Sequence, residues 1–327
     1  MSSLLARYAE AYFWLARYIE RVESLARVLD VHESFSRDSR GEIDWAAVLA
    51  LYSDEDRFFA SHEQAERDQV VQFYTIDRAN SGSVASSLNG ARANARTLRP
   101  LLSTAIWSQL TAFATDVGRI GSESLMLGRL SPTCDRLMAL TRTHLGTMDS
   151  THPRDVGWCF YMLGLQIERA DQTSRLLDVR QQALRRAGPV DQAVEASQWN
   201  HLLRVLGAYH YYRRVGSGTL EQEAIGRFLF SDPDFPRAIG FCFERCVRLL
   251  TQLRRQHQLK GASSSLERLD SIQSHLEPGN LQQLIARDLH GLNDWVQREL
   301  GGLTETIADG FWPREVTAFQ SQSQSQG

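Results

Sequence analysis

The sequence predicts an all-α protein, a duplicated helical bundle with a pseudo-twofold internal repeat. Three observations carry that expectation. Apolar residues recur at helical spacing along most of the chain. A stretch near the N-terminus returns 148 positions later. No Asn-Gly or Asp-Gly pair sits between alternating apolar runs, as a hairpin would need.

The first element is the most regular. Tyr8, Tyr12, Leu15, Ile19, Val22, Ala26 and Leu29 alternate spacings of four and three, which draws a continuous seam along one long helix. Comparable patterns predict helices over 45–60, 83–102, 104–117, 155–186, 194–215, 236–259 and 281–300. Most of the eight prolines, among them Pro132, Pro153, Pro189, Pro233, Pro236 and Pro278, fall at helix starts or between helices, where a missing N–H costs least. Residues 15–31 align without gaps onto 163–179, with eight identities in 17 positions, including Glu20/Glu168, Arg21/Arg169 and Arg27/Arg175. Further on, Trp45 matches Trp199, Phe73 matches Phe228 and Asp77 matches Asp232. The reading is therefore a first helical repeat over 1–150, a second over 151–315, and a disordered low-complexity tail over 316–327, ending Ser-Gln-Ser-Gln-Ser-Gln-Gly.

Composition excludes several functions. The 327 residues are 43% hydrophobic and 23% charged, enough apolar material for a core, and the formal net charge of -3 offers no general attraction to nucleic acid or anionic lipid. No apolar run is long enough to span a bilayer, and the N-terminus lacks the layout of a signal peptide. Four cysteines without a C-x-x-C pair fit a reduced, cytoplasmic protein. Lys260 is the single lysine among 36 basic residues. With no lysine in a glycine-rich phosphate loop, Walker-type nucleotide chemistry is not expected. Hydrolase motifs are absent, and Cys242 and Cys246, one turn apart, read as buried thiols rather than zinc ligands.

The repeated polar residues are the candidate site. On a helical wheel Glu20 points away from the seam, beside Phe13, Ala16, Arg27 and Val31. In the second copy Glu168 shares a face with Tyr161, Gly164, Arg175 and Val179. A face mixing charge with small and aromatic residues suits a second packing surface. Glu23 with Arg27 and Asp171 with Arg175 are i,i+4 pairs, which stabilise a helix without any function. Glu20 and Glu168 instead adjoin Arg21 and Arg169. They suit an inter-helix salt bridge, a site for a charged ligand or partner or, least well, a carboxylate metal site, since no Glu-x-x-His accompanies them. Arg92, Arg96 and Arg99 form a helical stripe able to fork onto carboxylate or phosphate, or simply to be solvated. Tyr209, Tyr211, Tyr212, Arg213 and Arg214 form an aromatic-basic cluster, read first as core tyrosines.

Residues 12–23 (Tyr-Phe-Trp-Leu-Ala-Arg-Tyr-Ile-Glu-Arg-Val-Glu), 167–171, 89–96 and 231–238 resemble the bacterial alpha-E domain family, and the resemblance runs nearly to residue 315. It implies an all-helical fold and a glutamate of note at Glu20 or Glu168, and its 231–238 segment brings Arg237 into the candidate set. Members of that family occur beside, or fused to, circularly permuted ATP-grasp-type and transglutaminase-like proteins. The resemblance therefore implies a helical companion subunit of an ATP-grasp-like ligase forming amide or peptide bonds. Such a subunit binds the ligase, and a peptide or amino-acid substrate is a further candidate ligand. It is not expected to be catalytic alone and needs no cofactor or metal of its own. Arg17, Arg21, Arg27, Arg92, Arg96, Arg169, Arg175 and Arg237 are the candidate contacts, with Arg17 and Arg27 expected to meet acidic groups of the partner. The crowding of Phe13, Trp14, Tyr18 and Trp45 in the first half points the same way, because aromatics and arginines dominate interface hot spots. The alternative is a stand-alone enzyme acting on an anionic substrate between the repeats, with Glu20 or Glu168 as general base.

Overall fold

A computed structural model describes residues 3–38, 45–187, 191–216 and 220–313. The tail expected over 316–327 lies outside the described residues. Within them every regular element is helical, in the order α1 (Ser3–Asp38), α2 (Ala46–Tyr52), α3 (Glu55–Phe59), α4 (Arg67–Thr75), α5 (Val84–Thr97), α6 (Thr104–Gly118), α7 (Leu130–Thr151), α8 (Val156–Ala187), α9 (Gln192–Val205), α10 (Tyr209–Val215), α11 (Gln222–Ser231), α12 (Ile239–Arg255), α13 (Ser263–His275) and α14 (Pro278–Phe311). None of them is long and apolar enough to cross a membrane.

The helices start and stop for legible reasons. Ser83 and Ser103 cap α5 and α6 by accepting from the Ser86 and Ile106 N–H groups, and Pro278 opens α14, where its missing donor costs nothing. Two continuous helices expected from periodicity are each broken in two. Ser53, at φ 54°, closes α2 before α3, and Gly207, at φ 69°, separates α9 from α10. The pattern missed α4, α7, α11 and α13. In α7 the cause is its hydroxyls: Thr143, Thr147, Ser150 and Thr151 each donate back to the carbonyl four residues earlier, so polar residues stand where an apolar stripe would reveal the helix.

The two longest early helices lie at the centre. α1 packs on α5, α7 and α8, and α8 packs in turn on α12 and α14. In the first half α6 bridges α5 and α7; in the second, α13 bridges α12 and α14. Asp77 and Asp232 each fold back onto the N–H two residues ahead, at 2.8 and 3.0 Å. α1 and α8 run in the same direction, with Tyr12 against Gly157, Phe13 against Gly164 and Arg21 against Glu168. The approach is closest at Gly164, where a Cβ would stand 2.1 Å from the Phe13 carbonyl oxygen. Only glycine lets the two backbones meet there, and this sets the spacing at which the next turn of each helix faces the other.

Candidate functional site

One turn beyond that contact on α8 and two turns beyond it on α1, the Glu-Arg dipeptides of the two helices meet. Within each dipeptide the glutamate points into the helix interface, while the arginine, about 100° around the helix, reaches along its flank to the opposite carboxylate. Arg21 Nε and Nη2 donate to Glu168 at 2.7 and 3.1 Å, and Arg169 Nε donates to Glu20 Oε2 at 3.1 Å. Each glutamate thus holds the arginine that follows the other. Both carboxylates are fully buried.

Further residues complete the coordination. Arg17 Nε donates to Glu168 Oε2 at 2.7 Å, and its guanidinium lies 5.0 Å above the Trp14 ring. Gln172 donates to Glu168 Oε1 at 3.4 Å and accepts from the Tyr52 hydroxyl at 3.3 Å. On the other side Arg237 Nη1 stands 2.6 Å from Glu20 Oε1 and its Nη2 3.5 Å from Glu23 Oε2. Arg237 comes from the turn before α12, and its carbonyl accepts from Thr173 Oγ1 at 2.9 Å, which ties that turn to α8. Glu23 also accepts from Arg27 at 2.6 Å, and Arg175 pairs with Asp171 at 3.0 Å. Arg142 Nε lies 3.8 Å from Glu23 Oε1, so among the described residues seven guanidiniums surround four carboxylates.

The electrostatics follow from burial set against proximity. Burial alone would raise the Glu168 carboxyl, but Arg21 and Arg17 outweigh it and hold the group down at about 2. Glu23 is lowered in the same way, against its burial, by Arg237 and Arg27. The Arg21 guanidinium is raised by Glu168, and Arg169 is raised by Glu20 and Glu23 in spite of burial. Arg27 is lowered, by burial first and then by the neighbouring Arg237. Arg17, Arg21 and Gln172 donate to both Glu168 oxygens, and the two guanidiniums hold the carboxylate in its ionised form.

Of the ten residues singled out from sequence, eight converge here: Arg17, Glu20, Arg21, Arg27, Glu168, Arg169, Arg175 and Arg237. Arg92 and Arg96 do not. They stand exposed on α5 and make no ion pair among the described residues, and Arg92 lines a shallow notch with Arg78, Ser86 and Asn89. Arg17 and Arg27, expected to reach acidic groups of a partner, are instead spent on Glu168 and Glu23. The aromatics are also largely used internally: Phe13 and Trp45 are buried, Trp14 and Tyr18 are half-buried, and Tyr18 packs over Gly90 of α5. Tyr212 is the core tyrosine of its cluster, whereas Tyr209 and Tyr211 are half-buried and carry Arg213 and Arg214 over their rings. All four cysteines are buried and free. Gln172 and Tyr52 were not foreseen; the only signal was the i+4 spacing of Gln172 from Glu168.

Fold and site define an all-helical protein in which two long parallel helices are joined by a buried Glu-Arg network. The chain belongs to the Alpha-E family, described as a predicted alpha-helical domain with a conserved ER motif, and the family model matches residues 4–312. Among curated proteins it is similar to "Uncharacterized protein Mb2597" of Mycobacterium bovis and "Uncharacterized protein MT2643" of Mycobacterium tuberculosis. Each is 23% identical over 239 residues, covering 72% of this chain and 26% of the relative. The chain thus spans about a quarter of the length of those relatives. No solved structure matches it.

Proposed function

We propose that this protein is a helical companion subunit of an ATP-grasp-type ligase system for amide or peptide bond formation, binding the ligase and an anionic group of its substrate. The observation that carries the reading is the length of the relatives. A unit that matches about a quarter of a longer chain acts next to other segments rather than alone. The buried Glu168, both of whose oxygens accept from Arg17, Arg21 and Gln172, supports it, because that leaves this glutamate a scaffolding role. The ER motif is then Glu20-Arg21 together with Glu168-Arg169. We also infer that the halves arose by duplication and are related by a local pseudo-twofold axis alongside α1 and α8. The exchange of arginines between the two glutamates and the matched helix packing in each half support this.

With Arg17 and Arg27 engaged internally, the partner-facing residues are the unpaired Arg92 and Arg96. The test is co-expression with an ATP-grasp-like protein from the same genome, followed by size exclusion at micromolar concentration and low salt. A shared peak that is lost in Arg92→Glu/Arg96→Glu supports the reading, and separate elution of the wild-type proteins overturns it. The second reading, a stand-alone enzyme, draws on the excess of guanidiniums over carboxylates in the network and on the cleft of about 570 Å³ that Arg175 lines. It moves ahead if the proteins elute apart.

A further inference from the structure

Farther along α8, about 15 Å from Glu168 by helical rise, stands a second polar group that the ER network does not use. Asp178 is 7% exposed and faces α14. Within α14 the backbone is extended at Asp288 (φ -157°, ψ 82°), and Asp288 Oδ1 accepts from the Gly291 N–H at 3.0 Å, so the helix begins afresh there. That new start places His290 in a first turn and Asp294 four residues later on the same face. His290 Nδ1 lies 2.6 Å from Asp178 Oδ1, and Nε2 lies 3.6 Å from Asp294 Oδ2. Gln182, one turn beyond Asp178, donates to its second oxygen at 2.9 Å. One donor atom each from Asp178, His290 and Asp294 falls within a 4.8 Å span. Asp178 and Asp294 also line the cleft of about 570 Å³, together with Arg175, Gln182 and Gln297.

We propose that Asp178, His290 and Asp294 bind a divalent first-row transition-metal ion whose remaining coordination positions open into this cleft, toward an anionic ligand flanked by Arg175. Bonds of about 2.1 Å set neighbouring donor atoms roughly 3 Å apart, so one ring nitrogen of His290 takes the ion and the carboxylate now beside the other nitrogen swings toward it. Two carboxylates balance the charge of the ion, and the imidazole favours zinc, cobalt or iron over magnesium or calcium. Gln182 serves as the outer contact that orients one ligand, a recurring feature of metal sites. Among the described residues this is the one such group; Asp30, aligned with Asp178 in the repeat, accepts from the Ser131 hydroxyl. The proposal is independent of the ligase reading.

The test uses the full chain, stripped with chelator, dialysed and titrated with Co²⁺, followed by visible d–d absorption and calorimetry. One Co²⁺ per chain is expected, displaced by Zn²⁺. His290→Ala and Asp294→Asn should each weaken binding at least tenfold, and His210→Ala, an exposed histidine elsewhere, should not. Asp294 is half exposed, so Asp294→Asn keeps the fold, and circular dichroism verifies this. Absence of saturable binding below millimolar Co²⁺, or equal affinity in wild type and both ligand variants, overturns the proposal and leaves an Asp178–His290 hydrogen bond only.

Discussion

Replacing Glu168 by glutamine separates a structural from a ligand-binding role for the ER residues. The side chain keeps its volume but loses its charge and one of two acceptor oxygens. Arg17 Nε and Arg21 Nε, each 2.7 Å from a different carboxylate oxygen, then compete for a single amide oxygen. The other end of the amide presents N–H groups to a guanidinium, donor against donor. Because Glu168 is fully buried, no water replaces the lost acceptor. Breaking a buried pair by removing one partner costs ~3–5 kcal/mol. With a urea m-value of about 3 kcal/mol/M, the midpoint should fall by roughly 1–1.7 M. The assay is urea unfolding followed by circular dichroism. A compensated variant, Glu168→Leu with Arg17→Leu and Arg21→Leu, should recover most of the loss, since removing all partners of a buried ion group is often close to neutral. A midpoint shift below about 0.2 M in Glu168→Gln, with ligase binding abolished, would refute the structural reasoning and return Glu168 to the list of ligand contacts.

The same carboxylate sets an acid limit. Its folded pKa lies below the ordinary 4.5, so its stabilisation is complete above that value and is lost as pH falls from about 4.5 to about 2. Acid titration of stability should show a slope in that window that is reduced in Glu168→Gln; equal slopes would contradict the assignment. Gly164→Ala forces a methyl against the Phe13 carbonyl and should destabilise by ~1–3 kcal/mol or more, read as a lowered urea midpoint. Arg17→Glu places a carboxylate against Glu168 and should unfold the chain more readily than Arg92→Glu, which changes stability by less than about 0.5 kcal/mol. The four buried cysteines should resist a thiol reagent in the native state and all react in denaturant. Burial pushes the Cys159 thiol up to about 11 and that of Cys242 up to about 12.

How much was legible depends on the range of the physics involved. The apolar seam of α1, the caps at Ser83 and Ser103 and the i,i+4 pair of Asp171 with Arg175 are local and can be read residue by residue. So can the likeness of 15–31 to 163–179, and with it the expectation that Glu20 and Glu168 are embedded in a packing face. The threonine-rich α7 was hidden because hydroxyls bonded to their own backbone carry no apolar period.

By itself, then, the sequence determined that the chain is helical and which faces are apolar. Tertiary structure alone decided which arginine serves which glutamate. Arg17 reaches across 151 positions to Glu168, Arg237 enters from the turn before α12, and His290 meets Asp178 after α14 restarts at Asp288. Helical period is a property of neighbours in the chain. These pairings depend on how closely two distant helices approach, and at Gly164 that distance is set by the absence of a single Cβ.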